Sequence, residues 1–220
     1  MGARARHGLG RVERYFATER EVERAWAILR ATGALKEGHF RLPRTKLHYK
    51  RFFQVPLALQ NSRDAKILCV SLGRVLRRSG ILYRLEKHRR FTVIAPMDAG
   101  IPVAFWMGEH LDADRILWAN RTEDGWGFRP FIDIDEDDQV ILVDDAILTG
   151  GTLGSVAEYI RSKGSNVVAV ATIVDRREKR GDFDGSPSYC LLHEKGGKHR
   201  PKTCPMCEKG VELVELTPQA

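Results

Sequence analysis

Asp144 and Asp145 stand side by side, directly after the apolar run Val140-Ile141-Leu142-Val143 and shortly before Thr149-Gly150-Gly151-Thr152. Two adjacent carboxylates can accept hydrogen bonds from a diol or ligate a divalent cation. Without such a partner they repel, and partial burial raises one of the two pKa values. The pair is therefore a poor choice for a purely structural loop. Gly150 and Gly151 permit positive φ and close approach of the backbone. A helix opening after them offers unpaired N–H groups and a positive dipole end, which suit a phosphate monoester. The hydroxyls of Thr149 and Thr152 add donors. A phosphorylated sugar with several hydroxyls needs both kinds of group. A plain strand–turn–helix with an incidental acidic pair explains each piece but not their order.

The elements that must position these residues are legible in outline. Val140–Val143 is a β-branched and Leu run, as in a strand buried on both faces. The acids follow at its carboxyl end, where open α/β sheets bind ligands. Ser155–Ile160 reads as helix, with Val156, Tyr159 and Ile160 on one face. Upstream, residues 19–31 form an amphipathic helix with Val22, Ala25, Trp26 and Leu29 on its apolar face and Gly33 as its stop. Residues 40–60 suggest short strands or a hairpin broken by Pro43 and Pro56. Ser62–Arg78 is helical, with Ala65, Leu68, Cys69, Leu72 and Leu76 at helical spacing. Phe91–Ala95 is a strand, and Ile101–His110 a helix whose Pro102 fits the first turn. Arg115–Asn120 and Val167–Val174 are strands, and a loop precedes Val140. Strands alternating with helices give an α/β fold with a parallel sheet. No internal repeat or low-complexity tract interrupts the pattern.

At 220 residues with 43% hydrophobic content, the chain makes one medium domain with a real core, plus at most a small lobe. No stretch reaches the ~18–20 apolar residues of a transmembrane helix. The amino terminus carries Arg4, Arg6, Arg11 and Arg14 but no apolar segment of a signal peptide, so a cytoplasmic location is expected. The net charge of +7 favours a polyanionic substrate. The basic clusters at 84–90, 176–180 and 195–202 lack the interleaved aromatic residues of a stacking platform, so nucleic acid is only a runner-up partner.

The 140–153 segment resembles the phosphoribosyl-pyrophosphate (PRPP) motif of type I phosphoribosyltransferases. The resemblance implies that Asp144 and Asp145 bind the ribose hydroxyls. It implies that Ala146, Ile147, Leu148, Thr149, Gly150, Gly151 and Thr152 line the 5′-phosphate site. Further segments are similar to the orotate branch. They are Gly38–Leu42 with Phe52–Gln54, the loop Met97-Asp98-Ala99-Gly100 as a pyrophosphate site, Asn120-Arg121 with a PRPP-binding Arg, and Val174-Asp175-Arg176 with an Arg for the orotate carboxylate. The tail Cys204-Pro205-Met206-Cys207-Glu208-Lys209-Gly210 resembles that of some bacterial and archaeal members. The resemblance runs from about Gly33 to Leu216. It implies a type I phosphoribosyltransferase-like parallel sheet flanked by helices, with a small hood. It places a hood segment at 1–60, the PRPP-binding core at 61–184 and a Cys-rich tail at 185–220. It also implies Mg²⁺, a homodimer, and a mobile loop around Trp126 closing over the site.

Several residues depart from the family pattern. Leu148 stands where many members have Thr, and Ala99 where some have Lys. The loop Thr122–Pro130 contains no Lys or His, so Arg129 is the residue left to bring positive charge to catalysis. Pro43–Lys50 replaces the usual Ser-Gly turn. Transfer of phosphoribose to orotate is the leading reading. A transferase for another base and a non-catalytic PRPP sensor stay open beside it.

Of the four cysteines, Cys69 lies on the apolar face of a helix and reads as a core residue. Cys190, His193, Cys204 and Cys207 have the two short spacings of a tetrahedral structural zinc site, with His199 as a substitute ligand. The alternatives are reduced thiols or a Cys204–Cys207 link.

Overall fold

The computed structural model describes residues 17–42, 46–179 and 181–216. The four amino-terminal arginines and residues 43–45 of the altered hood segment lie outside the described residues.

The chain opens with α1 (Glu19–Ala31), fixed at its start by a capping box. The Glu21 N–H donates to the Thr18 hydroxyl, and the Thr18 N–H donates to the Glu21 carboxylate at 2.9 Å. Strands β1 (Leu35–Arg41) and β2 (His48–Phe53) form an antiparallel hairpin. A single turn, α2 (Pro56–Leu59), leads to α3 (Ser62–Ser79), which is capped by Asn61 and ended by Gly80 at φ 78°. There follow β3 (Phe91–Pro96), α4 (Gly100–Leu111), β4 (Arg115–Thr122), β5 (Gly125–Gly127), β6 (Gln139–Ile147), α5 (Gly151–Ser162), β7 (Asn166–Asp175) and β8 (Ser188–His193). The tail contributes β9 (Lys198–His199), α6 (Pro205–Glu208) and β10 (Val214–Glu215).

Two sheets result. The larger has the order β5-β4-β3-β6-β7-β8, and all its strands are parallel except the short β5. The smaller has the order β10-β1-β2-β9, so the tail supplies both of its outer strands. The strand period of two divides the larger sheet's residues between two apolar layers. Val93, Ala95, Ile141, Val143, Ala169 and Ala171 pack with α3 and α4. Ile94, Val140, Leu142 and Val170 pack with Leu153, Val156, Ala157 and Ile160 of α5. Covering helices on both faces explain the uninterrupted apolar runs of β3 and β6.

The expected helices and the strands of the parallel sheet all form, with shifted boundaries at the important place. β6 does not stop at Val143. Its ladder continues, with Asp144 opposite Thr172, Ala146 opposite Val174 and Ile147 opposite Asp175. The helix after it starts at Gly151 rather than Ser155, because Gly150 takes the left-handed conformation at the cap (φ 93°). β8 lies beside β7 in the larger sheet, so Cys190 and His193 belong to that sheet and not to the tail that builds the smaller one. α1 likewise packs on the main core through Ala25 and Leu29. Among the described residues no helix is long and apolar enough to cross a membrane.

Leu142 is fully buried between β3, β7 and α5. Leu142→Ala is expected to cost about 2–5 kcal/mol, the range for truncating a buried Leu. Urea unfolding measures it, and a loss below about 1 kcal/mol is incompatible with this packing.

Candidate active site

In a parallel sheet every strand delivers its carboxyl end to the same edge. At that edge β3 leads into Met97–Ala99, β4 into Arg121, β6 into Asp144 and Asp145, and β7 into Arg176. The four sites predicted at separate places in the sequence therefore converge. Direct contacts tie the β3 loop to β4 and to the acid pair. The Met97 N–H donates to the Ala119 carbonyl at 2.9 Å, holding the β3 loop to β4. The peptide between Met97 and Asp98 is cis. A Cβ on Gly100 would lie 2.8 Å from the Ala95 Cβ and 3.1 Å from Asp144 Oδ1, so only glycine lets α4 start this close to the acid pair.

The two carboxylates are held by backbone. The Asp145 N–H donates to Asp144 Oδ1 at 2.9 Å, and the Ala146 N–H donates to Asp145 Oδ1 at 2.7 Å. Asp144 is buried and Asp145 partly so. Burial first, and then the neighbouring Asp145, push the Asp144 carboxyl well above its ordinary range. Burial also raises Asp145, to about 6, against the lowering effect of its N–H bonds. A cavity of about 150 Å³ opens beside Asp144, lined by Ala146 to Leu153. Its floor is the start of α5, whose cap Gly150 makes no side-chain capping bond. The first N–H groups of that helix have no intrahelical partner, and Gly151 and Thr152 line this cavity. Phe183 packs so closely that a Cβ on Gly150 would come within 2.6 Å of its ring. A larger cleft of about 530 Å³ lies at the opposite, amino edge of the strands. It is filled by ion pairs such as Arg89–Asp137 and Arg90–Asp135, and it touches none of these groups.

Comparison with known proteins bears on this edge. Residues 83–200, more than half of the chain, match the phosphoribosyl transferase domain family. The chain is 36% identical over 182 residues to the orotate phosphoribosyltransferase of Carboxydothermus hydrogenoformans, covering 83% of this chain and 90% of the relative. It is 31% identical to that of Thermotoga maritima, covering 84% and 92%. This chain belongs to the phosphoribosyltransferase family. Among solved structures, the fold is similar to orotate phosphoribosyltransferase from Aeropyrum pernix, with TM-score 0.60 and 19% identity over 84% of this chain and 99% of that one. It is also similar to the Mycobacterium tuberculosis enzyme in complex with inorganic phosphate, with TM-score 0.56 and 18% identity over 79% and 95%.

In this phosphoribosyltransferase Arg121 stacks over the Trp126 ring, 4.0 Å from its centroid. Trp126 was expected on a mobile loop. It instead sits in β5, paired with Arg121, and is 9% exposed. Its indole N–H donates to Ser155 Oγ at 2.8 Å, and Ser155 Oγ donates to the Thr152 carbonyl. An indole buried on α5 makes this segment a brace under Arg121, with the exposed turn 122–124 on one side of it and the exposed segment 129–133 on the other. Arg176 lies between the two sheets, 7% exposed. One Nη donates to the Arg51 carbonyl at 3.1 Å, and the guanidinium stands over Tyr49 and Phe53 of β2. Its Nε has no partner. The turn is set by Arg177, which forms a two-pronged pair with buried Asp175.

The metal-ligand set differs from expectation. Among the described residues, Cys204 and Cys207 gather with His39 and His48, and not with Cys190 and His193. Cys190 is buried in β8, and a ring nitrogen of His193 is bonded to the Arg177 carbonyl at 2.9 Å. The parallel pairing of β8 with β7 takes these two residues away from the tail. His39 and His48, like the Tyr49–Phe53 wall around Arg176, were not singled out as site residues. Two histidines within one predicted hairpin were the available signal.

Asp145 is shifted up in the fold, so its ionised form costs stability above about pH 6 and the cost vanishes below about pH 4. Asp145→Asn is therefore expected to stabilise the ligand-free protein by about 1–2 kcal/mol at about pH 8, discounted for partial exposure. The gain should disappear near about pH 4. Urea unfolding at the two pH values checks it. A variant less stable than the parent at the higher pH contradicts the assigned burial cost.

Proposed function

We propose that this protein transfers the 5-phosphoribosyl group of PRPP to a ring nitrogen of orotate and releases pyrophosphate. The observation that carries this is the acid pair at the carboxyl edge, with Gly100 and its loop on one side and the uncapped start of α5 on the other. Asp144 and Asp145 accept hydrogen bonds from the ribose hydroxyls, which removes the penalty of holding two carboxylates together. The N–H groups of Gly151 and Thr152, with the hydroxyls of Thr149 and Thr152, hold the 5′-phosphate. The Met97–Gly100 backbone and Arg121 hold the pyrophosphate. Arg176 fixes the orotate carboxylate with its unpartnered edge, against the Tyr49 ring. Arg129 brings positive charge to the leaving group from the exposed segment after β5.

The displacement breaks the bond from the anomeric carbon to pyrophosphate and forms one to the base nitrogen. These groups act by positioning and by charge complementarity. The donor set around the acid pair is all oxygen, which fits a hard cation held largely through substrate. Mg²⁺ would neutralise charge on pyrophosphate there, near Asp144 and Asp145. A homodimer in which the exposed segment 129–133 reaches the partner's site completes the reading.

Two experiments test this. The protein is incubated with PRPP, Mg²⁺ and a panel of bases, and pyrophosphate release is followed. Release with orotate is expected. Release only with another base moves the specificity, and PRPP binding without release makes the protein a sensor. The double variant Asp144→Asn, Asp145→Asn should lose about a hundredfold or more in PRPP affinity, since it weakens two charge-assisted bonding sites. Unchanged affinity by calorimetry removes the acid pair from the site.

Arg176→Lys should raise KM for orotate about tenfold or more and leave KM for PRPP unchanged, because an ammonium cannot make the bidentate contact. Equal effects on both substrates would place Arg176 elsewhere in the reaction.

A further inference from the structure

The smaller sheet has little holding it together. Its outer strands β9 and β10 have two residues each. Phe53 at the end of β2 joins the main core, but the sheet's Phe40 and Tyr49 and the tail's Cys204 and Met206 belong to neither apolar layer. The tail reaches it through a few backbone bonds and the exposed ion pair Arg41–Glu215. Lobes this small usually need a covalent or metal staple.

At the centre of this sheet four ligand atoms meet. His39 Nε2 is 2.8 Å from His48 Nδ1, 3.5 Å from Cys204 Sγ and 3.6 Å from Cys207 Sγ. Cys207 Sγ is 3.2 Å from His48 Nδ1, and all four atoms lie within 4.8 Å of one another. A tetrahedral zinc ion with bonds of about 2.3 Å to sulfur and about 2.0–2.1 Å to nitrogen sets N···S edges of about 3.6 Å and an N···N edge of about 3.3 Å. Two of the N···S distances match, and the Cys207–His48 and His39–His48 edges need to lengthen by only about half an ångström or less.

The other nitrogen of His39 decides the protonation. Nδ1 lies 2.9 Å from the Val211 carbonyl, which can only accept. Nδ1 therefore carries the proton, and Nε2 points its lone pair into the cluster. This is the outer hydrogen bond that orients a metal-bound histidine. The partner is itself in the tail, so the same contact joins ligand to tail. Cys204 stands at the start of α6 and Cys207 within it, a spacing that turns both sulfurs to one side.

We propose that His39, His48, Cys204 and Cys207 form a structural zinc site that locks the carboxyl-terminal tail onto the β1–β2 hairpin. All four tetrahedral positions are taken by protein, so the ion has no open place for substrate. The staple matters because His48 is followed by Tyr49, whose ring faces Arg176. This assignment concerns the ion and its ligands, so it stands or falls independently of the base acceptor proposed above.

The full chain, purified without a histidine tag and dialysed against a weak chelator, is analysed for zinc by mass spectrometry. One zinc per chain is expected in the parent and in Cys190→Ser, and none in Cys204→Ser or Cys207→Ser. So that the test does not depend on the folding of these variants, cobalt is also exchanged into the parent. The intense visible bands of a tetrahedral site and a thiolate-to-cobalt charge-transfer band are expected. Stripping the metal should expose residues 194–216 to protease. A parent that holds neither zinc nor cobalt with its thiols reduced overturns the proposal. So does a Cys204–Cys207 disulfide in the isolated protein, or loss of metal in Cys190→Ser.

Discussion

Two carboxylates held next to each other at the end of a buried strand are the constraint on which the site depends. The fold does not let them relax apart. Each accepts the N–H of the following residue, and β7 pairs on through Ala146 and Ile147. Burial pushes both toward protonation, and the neighbouring Asp145 adds to the rise at Asp144. A ligand that donates hydrogen bonds to them recovers free energy the empty protein lacks. The larger sheet is the device that maintains this tension, because its two apolar layers fix β6 from both faces.

Around that pair the chain arranges backbone rather than side chains. Gly100 brings the start of α4 against Asp144, and Gly150 brings the start of α5 against the cavity. Helix N-termini bind anions through N–H groups whose direction cannot change. On the proposed function, the loss of a hydroxyl at Leu148 and of a cation at Ala99 is therefore tolerable, since the main chain would supply most donors. Side-chain charge enters from farther away, braced by aromatic rings. Arg121 rests on Trp126, and Arg176 on Tyr49 and Phe53.

The motif at 140–153 was legible because its parts are contiguous. An apolar run, an acid pair and a glycine turn report local backbone needs, and the structure adds only that β6 runs four residues farther and α5 starts four residues sooner. The convergence of Met97–Gly100, Arg121, Asp144–Asp145 and Arg176 also followed once the sheet was taken as parallel. β5 and β8 were not legible. A three-residue strand has no period to read, and Ser188–His193 looks like the beginning of a tail until β7 is beside it.

The metal ligands mark the boundary between the two kinds of information. Cys204-Pro205-Met206-Cys207 announces a pair of sulfurs within four residues, and spacing suffices to read it. The other two ligands lie more than 150 residues upstream. Nothing local joins them to the tail. The sequence by itself determined the acid–glycine segment proposed to hold phosphate and diol, the alternation of strands and helices, and half of the His/Cys cluster, because these rest on neighbours along the chain. Only the tertiary structure decided that β8 joins the core, that Trp126 is an anchor, and that His39 and His48 complete the cluster. Those depend on strand pairing between distant segments, which residue pattern alone does not specify.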